Sequence, residues 1–381
     1  MRRVAMRLAS LMVLGLLAAS AARAVEIDSK AEKITLTGRV QPLWTYSSFE
    51  DGNPSNEFLL RRARLAMKVK INDWISGVVE PDFGEGKLTL KDAYFAFEPV
   101  EDRLEFIVGQ TKRRYDLFEL TSSTQILVIE RDGRIGRLKV PSLSFLTEEL
   151  GYADRDIGLF VLGNTASERV RIEAAVTNGA GANTKPTIGE KAFQGRVSVE
   201  PIASRPLTVN GGVSLRPYES TFDRVTGVDT VSVTNVEYGT AFEGSIEYGK
   251  WDRGPHLQAG VVGGTNFDSD IGGVAKTDNR DAASFLALQG IVTYKKAFAN
   301  PTWFEAVEPL VRVSWADPNT DVDNDGGIVI TPGVNLFVTG RTRMMANVDV
   351  FVPEANDNPS TTATDESETL FGVKVASWLY F

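Results

Sequence analysis

The sequence predicts an all-β protein, a 16-stranded antiparallel transmembrane β-barrel with an inward-folded third loop. Three observations predict it: a terminal strand that ends on an aromatic residue, alternation of apolar and polar residues along most of the chain, and connections of alternating length. In the terminal strand, Phe371, Val373 and Leu379 share one face, whereas Lys374 lies on the other. The chain ends on Phe381, and an aromatic end suits a last strand that closes a barrel at the membrane interface.

The N-terminal segment, residues 1–24, is predicted to be a secretory signal peptide. Three arginines precede a short apolar core at residues 11–19, and residues 22–24 form a small-x-small cleavage site. The mature β-barrel is therefore expected to comprise residues 25–381. The apolar core is too short for a transmembrane helix, and no later run reaches the roughly 18 apolar residues that such a helix needs.

The composition excludes several classes of protein. The chain contains no cysteine, which excludes disulfide stapling, a cysteine-linked lipid anchor and thiolate chemistry. Its formal net charge of −9 argues against nucleic acid as a partner. A hydrophobic content of 43% is compatible with a membrane barrel, because only alternate residues of a barrel strand face lipid.

Sixteen strands are predicted along the chain. Ten show clear alternation, at residues 34–46, 63–71, 104–108, 170–176, 193–199, 207–215, 242–248, 257–261, 307–315 and 344–352. Five weaker candidates lie at residues 74–82, 87–97, 156–162, 284–295 and 328–338, and the terminal strand completes the set. An even number of strands returns the C-terminus to the side of the membrane on which the mature chain begins.

The connections between these strands give an independent test. With the N-terminus in the periplasm, inner connections are expected to be short and outer ones long. The predicted inner connections are residues 71–73, 98–102, 163–168, 201–206, 250–255, 297–306 and 339–342. The predicted outer connections include residues 112–155, 178–190, 216–235, 264–282, 316–327 and 353–368, with one short exception near residues 83–86.

The longest connection, residues 112–155, is predicted to fold into the lumen and narrow it. Its centre, Ile126-Leu127-Val128-Ile129, is apolar and is not expected to face water. A loop of this length in a compact fold usually has a function. The alternative is an extracellular flap that packs over the rim of the barrel.

Side-chain parity predicts which charged residues face the lumen. Apolar residues take the outward positions of the predicted strands, so the charged residues between them point inward. The predicted pore-lining residues, expected to control anion selectivity, are Arg39, Arg62, Arg64, Lys68, Lys70, Arg169, Arg171 and Lys374. Arg196 adds to this basic surface, and Glu237, Glu243 and Glu247 are expected to face it across the lumen. The alternative is that these charges only fill and hydrate the lumen, paired with nearby carboxylates.

Several short phrases resemble the family of phosphate-selective porins O and P of Gram-negative outer membranes. They include Arg61-Arg62-Ala63-Arg64-Leu65, Leu90-Lys91-Asp92-Ala93-Tyr94, Val108-Gly109-Gln110-Thr111-Lys112, Arg155-Asp156-Ile157-Gly158, Thr177-Asn178-Gly179-Ala180-Gly181 and Thr331-Pro332-Gly333-Val334-Asn335. The match extends over residues 35–381. The resemblance implies a trimeric 16-stranded barrel in the outer membrane, with arginines along the lumen and lysines at the constriction.

The third loop of this chain differs from that pattern. It carries mostly arginine, and its predicted constriction residues are Arg113, Arg131, Arg134 and Arg137. Arginine suits phosphate because its planar fork matches two oxygen atoms. The absence of a dense lysine cluster leaves phosphate selectivity open as one of several possible preferences.

Two features of the sequence resemble sites of other kinds. Residues 321–326 look like the start of a calcium loop, but Pro332 stands where a bidentate glutamate is needed, so a solvated outer loop is predicted. His256, the only histidine, is predicted to be solvated at the inner rim. No serine lies on a recognisable activating motif, so no catalytic residue, metal site or cofactor is predicted.

The leading hypothesis is a passive channel for small hydrophilic solutes in the outer membrane of a Gram-negative bacterium, with a preference for anions of the phosphate or polyphosphate class. Its expected partners are small anionic solutes such as phosphate, outer-membrane lipid and lipopolysaccharide, the barrel-assembly machinery, and two further copies in a homotrimer. The alternatives are a general diffusion or organic-anion porin and, less favoured, a β-barrel enzyme. A third is a barrel that only anchors an adhesin or receptor.

Overall fold

The computed structural model describes residues 25–26, 31–49, 56–226, 229–268, 271, 282–354 and 369–381. Within them, sixteen antiparallel strands form a closed barrel, and a two-residue strand, Val25–Glu26, pairs with the first of these. Each of the sixteen predicted strands coincides with an observed one, so the predicted fold class is confirmed. The predicted signal peptide, residues 1–24, lies outside the described residues. No helix in the described part is both long and apolar enough to cross a membrane.

In chain order, the barrel strands β1 to β16 are Lys33–Ser47, Asn56–Asn72, Ile75–Asp82, Thr89–Val100, Leu104–Lys112, Arg155–Asn164, Val170–Thr177, Ala192–Val199, Leu207–Thr226, Asp229–Lys250, Arg253–Asn266, Ala283–Ala297, Ala306–Asp317, Gly327–Thr339, Thr342–Pro353 and Leu370–Tyr380. The connection between β5 and β6, residues 113–154, is called loop L3, and the end of the barrel from which it starts is called the outer end. Loop L3 contains helix α1 (Leu117–Leu120), a hairpin of Gly133–Ile135 with Leu138–Val140, and helix α2 (Leu143–Glu149).

The barrel closes between its last and first strands. β16 pairs with β1 from Gly372 opposite Ser47 to Tyr380 opposite Arg39. The amide of Phe381 then donates to the carbonyl oxygen of Gly38 at 3.0 Å, and the amide of Gly38 donates back at 2.6 Å. The terminal aromatic residue therefore completes the seam, and no strand edge is left unpaired there.

One predicted connection is wrong. Residues 216–235 were expected to form an outer loop, but β9 and β10 continue through them as a paired hairpin up to Thr226 opposite Asp229. This segment is rich in threonine and valine, whose β-branched side chains favour extended backbone. Because polar residues stand at both odd and even positions of the sequence, the segment lacks the alternation that marks a strand half buried in lipid.

The core of the protein lies where loop L3 packs on the inner face of the barrel. Helix α2 packs on small or apolar side chains of β10 to β13, among them Ala241, Ala287 and Ala316. Ile126 and Ile129 of the loop pack beside Ala376 and other inward residues of β1, β15 and β16, whereas Leu127 and Val128 belong to the cluster around α2. Alanines at these inward positions leave room for the loop. The predicted inward fold of the third loop is confirmed.

Candidate functional site: the barrel lumen

Two buried arginines of the barrel hold the backbone of loop L3. Arg312 of β13 donates to the carbonyl oxygens of three consecutive residues, 130–132, at 3.0, 2.9 and 3.2 Å. Arg343 of β15 donates to the carbonyl oxygens of Thr124 and Ile126 at 3.1 and 2.6 Å. A stretch of loop without a strand partner thus receives its hydrogen bonds from side chains of the wall.

Two asparagines complete this attachment. The side-chain amide of Asn335 donates to the carbonyl oxygen of Leu127 at 2.9 Å, and the side-chain oxygen of Asn347 accepts from the amide of Ile129 at 2.8 Å. All four side chains are buried. We call the inner face of β13 to β16, which loop L3 covers, the covered wall.

Sequence reasoning missed these four residues, although the signal that could have found them was present. Arg312 lies between Val311 and Val313, which are exposed on the outside of the barrel, so parity alone places it inward. The other three occupy equivalent positions in β14 and β15. What parity does not show is that a loop runs past them and needs hydrogen-bond donors.

A β-bulge in β2 brings two successive arginines to one carboxylate of loop L3. The register shifts between Gln41 and Pro42, so that Arg61 is the extra residue on the partner strand. Arg61 Nε lies 2.7 Å from one oxygen of Glu130, and Arg62 Nη2 lies 2.9 Å from the other. Arg62 faces inward as predicted, and Arg61 was missed because the bulge breaks the alternation.

The neighbouring arginines of the predicted basic surface also face inward, but carboxylates lie among them. Arg39 pairs with Glu80 at 2.7 Å, and Arg64 pairs with Asp82 at 2.5 Å. All four side chains are largely buried. The predicted separation into one basic side and one acidic side does not describe this wall, because Arg39 of β1 and Arg64 of β2 both have their counter-charges on strand β3.

The lysines among the predicted pore-lining residues lie at two different levels along the barrel axis. Lys374 is buried near the outer end and contacts Asp349 at 2.7 Å, a carboxylate that it shares with Arg312. Lys68 and Lys70 lie towards the inner end, where Lys70 pairs with Asp73 at 2.7 Å. The eight predicted pore-lining residues therefore do not form one cluster.

Of the predicted constriction residues, Arg113 is buried and Arg131 is largely buried within the fold of loop L3. Arg113 pairs with Asp156 of β6 at 2.8 Å. Arg131 donates to the carbonyl oxygens of Phe118 and Thr121 at 2.9 and 2.6 Å. Both guanidinium groups therefore cross-link the loop to itself or to its base.

The other two constriction residues lie nearer the outer end. Arg134 contacts Asp132 at 2.9 Å within the loop. Arg137 is about half exposed and donates to Glu57 of β2 at 2.8 Å. These four arginines are not gathered around one gap.

Helix α1 is anchored by a buried carboxyl group. Asp116 is its N-cap and accepts hydrogen bonds from the amide of Phe118 at 3.0 Å and the hydroxyl of Thr147 at 2.8 Å. Burial, followed by the charges of Glu243 and Glu119, raises the pKa of Asp116 to about 7. The cap thus ties α1 to α2.

A cavity of roughly 680 Å³ opens between α1 and the inner parts of β6 to β10. We call it the vestibule. Its charged and polar lining includes Arg114 of loop L3, Arg169, Arg171 and Glu173 of the β7 region, and Arg196 of β8. Arg169 is turned to the rim, where it donates to the carbonyl oxygens of Glu200 and Pro201 at 3.0 and 2.5 Å.

Two other predictions have different outcomes. His256 is not solvated but buried, with Nε2 2.8 Å from a carboxylate oxygen of Glu247. At residues 321–326, Pro332 lies within β14, and the described residues contain no group of three or more ligating side chains arranged to hold a metal. The expectation that this loop binds no calcium stays a prediction.

A family model described as phosphate-selective porin O and P matches residues 34–224, half of the chain. The chain belongs to this family. This porin is an outer-membrane channel, because its family and its closed 16-stranded barrel agree with those of known outer-membrane porins. No curated protein sequence matches it at a significant level.

Solved structures show the same fold. The outer-membrane channel DcaP of Acinetobacter baumannii is 13% identical, with a TM-score of 0.62, over 94% of this chain and 100% of that one. An anion-selective porin from Comamonas acidovorans is 11% identical, with a TM-score of 0.58, over 91% and 99%. The trimer form of OmpT from Vibrio cholerae is 14% identical, with a TM-score of 0.57, over 91% and 99%.

Proposed function

We propose that this porin is a passive channel for small hydrophilic solutes that prefers anions of the phosphate class. The observation that carries the proposal is the inward position of Arg39 and Arg64 on adjacent strands, with Arg155 of β6 in the same electrostatic cluster. Arg64 also lies beside loop L3, with its Nη1 3.3 Å from Oγ of Ser123. The family description and the anion-selective neighbour support the same preference.

The attraction that the lumen arginines exert on an anion depends on its distance from them and on the salt concentration. One unit charge at 4 Å contributes about 1 kcal/mol in water-like surroundings. Screening acts over about 8 Å at physiological ionic strength. Several guanidinium groups around a gap that loop L3 has narrowed therefore bias anion entry, and arginine favours phosphate over chloride because its fork binds two oxygens.

One observation favours a second candidate, a general diffusion or organic-anion porin without phosphate selectivity. Glu80 and Asp82 pair with Arg39 and Arg64 at hydrogen-bond distance. Paired charges largely cancel beyond a few ångströms, so a solute at the middle of the lumen experiences a weaker field.

Reversal potentials in gradients of potassium chloride and of potassium phosphate across a planar bilayer distinguish these candidates. The double variant Arg39→Gln/Arg64→Gln should lose anion preference, most strongly in dilute salt, and should lose phosphate permeability more than chloride permeability. The matched control, Lys87→Gln/Arg103→Gln, removes two exposed cations from connections outside the lumen and should behave as the unmodified protein. Equal reversal potentials in the two variants would favour the general diffusion porin.

We also propose export through the signal peptide at residues 1–24, insertion by the barrel-assembly machinery, contact with outer-membrane lipid and lipopolysaccharide, and assembly as a homotrimer. The OmpT neighbour is described in a trimer form, which supports the oligomeric state. Phe381 at the closure seam supports the assembly route, because a barrel terminus must remain accessible until the seam forms. Gel mobility before and after heating tests the homotrimer. N-terminal sequencing of the mature chain tests cleavage of the signal peptide.

A further inference from the structure

A groove crosses the outward face of strands β9 to β13. Its volume is about 740 Å³, and its lining is almost entirely apolar. Gly244, Ala259 and Gly290 form its floor, near the middle of β11 and β12, and larger side chains such as Ile246 and Leu288 form its walls. The lipid-facing surface of the barrel is therefore recessed at this place.

The backbone does not require glycine at the floor of the groove. A methyl group added to Gly290 meets no atom within 4 Å, and one added to Gly244 meets Cγ1 of Val261 at 3.6 Å, an ordinary contact. Neither glycine has a positive φ. Glycine weakens the interior of a strand and often marks a place where a ligand or another backbone approaches closely. The open floor therefore points to an occupant.

The strands below the groove lead to cations at the inner end of the barrel. Each of four strands has a small residue near the groove and a cation six positions from it towards the inner end. The pairs are Gly211 with Arg205, Gly244 with Lys250, Ala259 with Arg253, and Gly290 with Lys296. All four cations are exposed.

This spacing fits one leaflet of a membrane. Six residues of antiparallel strand extend about 20 Å, and at a tilt of about 40° they rise about 15 Å along the membrane normal. That distance is half of a hydrocarbon core roughly 30 Å thick. With the groove at the middle of the membrane, the cations lie at the level of the lipid headgroups. Tyr248 and Tyr294, which are 38% and 55% exposed, stand just above them, where interfacial aromatic residues are common.

The four cations are available to a headgroup. Among the described residues, none of them forms an ion pair with a carboxylate. Glu200, Asp252 and Glu305 are the acids in the same turns. The carboxylate of Glu305 also accepts a hydrogen bond from the amide of Gly340 at 3.3 Å.

The charge of the inner rim changes sign around the barrel. Below the groove, the rim carries five cations and three acids, over residues 200–206, 250–254 and 295–305. Below β2 to β7 it carries three cations and five acids, over residues 70–75, 98–104 and 163–169. The groove thus lies above the basic part of the rim, which complements an anionic headgroup.

We propose that the outward face of β9 to β13 binds a glycerophospholipid with an anionic headgroup, in the membrane leaflet at the inner end of the barrel. One acyl chain lies in the groove, and the phosphate binds Lys250, Arg253 and Lys296. Cations near a membrane surface attract acidic lipid, and within lipid a recessed surface gains van der Waals contacts with a chain that fills it. The site rests on the proposed lipid contact and narrows it to one lipid class and one face.

The test is native mass spectrometry of the folded protein, titrated in detergent with palmitoyl-oleoyl phosphatidylglycerol or with phosphatidylcholine that carries the same chains. The unmodified protein should bind the anionic lipid at a half-saturating concentration about tenfold lower than that of the zwitterionic lipid. Lys250→Gln/Arg253→Gln should remove this difference. The matched control, Lys87→Gln/Arg103→Gln, removes two exposed cations elsewhere and should keep it.

A second pair of variants tests the groove itself. Gly290→Leu fills the floor and should raise the half-saturating concentration of both lipids about threefold, because it displaces the chain. Gly163→Leu is the matched control, since Gly163 lies on the outward face of β6, where an added methyl group meets no atom closer than 3.8 Å. It should bind both lipids as the unmodified protein does. Gly244→Leu replaces Gly290→Leu if gel mobility shows that the latter does not fold.

Equal half-saturating concentrations of the two lipids in the unmodified protein would overturn the site, as would unchanged phosphatidylglycerol binding in both the cation variant and the groove variant. If Gly290→Leu dissociates an oligomer and leaves lipid binding unchanged, the groove takes a second copy of this chain and the lipid site is wrong. Failure of the broader proposal has a different result. A protein that does not insert into vesicles of either lipid lacks the proposed membrane contact, whereas one that inserts but binds both lipids equally lacks only this site.

Discussion

The covered wall and the vestibule both contain buried arginines, yet the two sets have different surroundings. In the covered wall, Arg312 donates to three loop carbonyl oxygens, to Thr331 and to Asp349. In the vestibule, Arg114 has one ion pair at 3.9 Å among the described residues, and none of these residues accepts a hydrogen bond from its buried Nε. The path of loop L3 makes the difference. Its backbone supplies hydrogen-bond acceptors to Arg312 and Arg343 of the covered wall, whereas at the vestibule the loop only borders the cavity. An inward arginine is therefore structural or available to a solute according to what covers it.

The largest effect is expected from removing the cover. Deletion of residues 121–136 takes away the segment that Arg312 and Arg343 bind, and it widens the lumen. Single-channel conductance should rise by about twofold or more. Heat-modifiable gel mobility serves as the folding control, because it reports an intact barrel. Unchanged conductance in a folded deletion variant would mean that the loop does not restrict the ion path.

A smaller effect is expected on the free energy of unfolding, which should differ between variants of the covered wall and variants of the vestibule. Arg312→Gln leaves several buried carbonyl oxygens without donors and should lower the free energy of unfolding by about 2–4 kcal/mol. Arg114→Gln removes only a long ion pair and a contact with Phe160, so its cost should stay below about 1 kcal/mol. Urea titrations of the barrel in lipid vesicles measure both. Equal losses would remove the distinction between the two walls.

The smallest effect is expected at the outer end. Arg137 belongs to loop L3 but is 48% exposed, and its guanidinium group pairs with the rim residue Glu57. Exposed ion pairs contribute little because water screens them and both side chains lose freedom. Arg137→Gln should therefore leave conductance, ion selectivity and unfolding unchanged within error. A clear rise in current noise would show that this rim contact helps to hold the loop.

Much of the barrel is determined by local sequence. Alternation with a period of two identifies the strands, and the lengths of the connections orient them, which is why all sixteen strands could be placed. The same alternation predicted that the side chains of Arg39, Arg62, Arg64 and Lys374 point into the barrel, as they do in the structure. The hairpin of β9 and β10 beyond residue 216 could not be recognised, because polar residues stand at both odd and even positions of its sequence.

The candidate site depends on contacts that local sequence does not encode. Parity gives the face of a strand but neither the height of a residue along the barrel nor the path of a loop through it. Glu130 meets Arg61 across 69 positions of the chain, and Arg312 meets the same loop segment across more than 180. His256 was likewise misjudged, because Glu247 reaches it only through the pairing of β10 with β11.

The sequence alone therefore determined a 16-stranded outer-membrane barrel with an inward loop and basic lumen residues, since these follow from side-chain alternation and connection length. Only the tertiary structure decided which basic residues are neutralised and which keep free donors. That outcome depends on hydrogen-bond distances between segments far apart in the chain, and closure of the barrel around loop L3 fixes those distances.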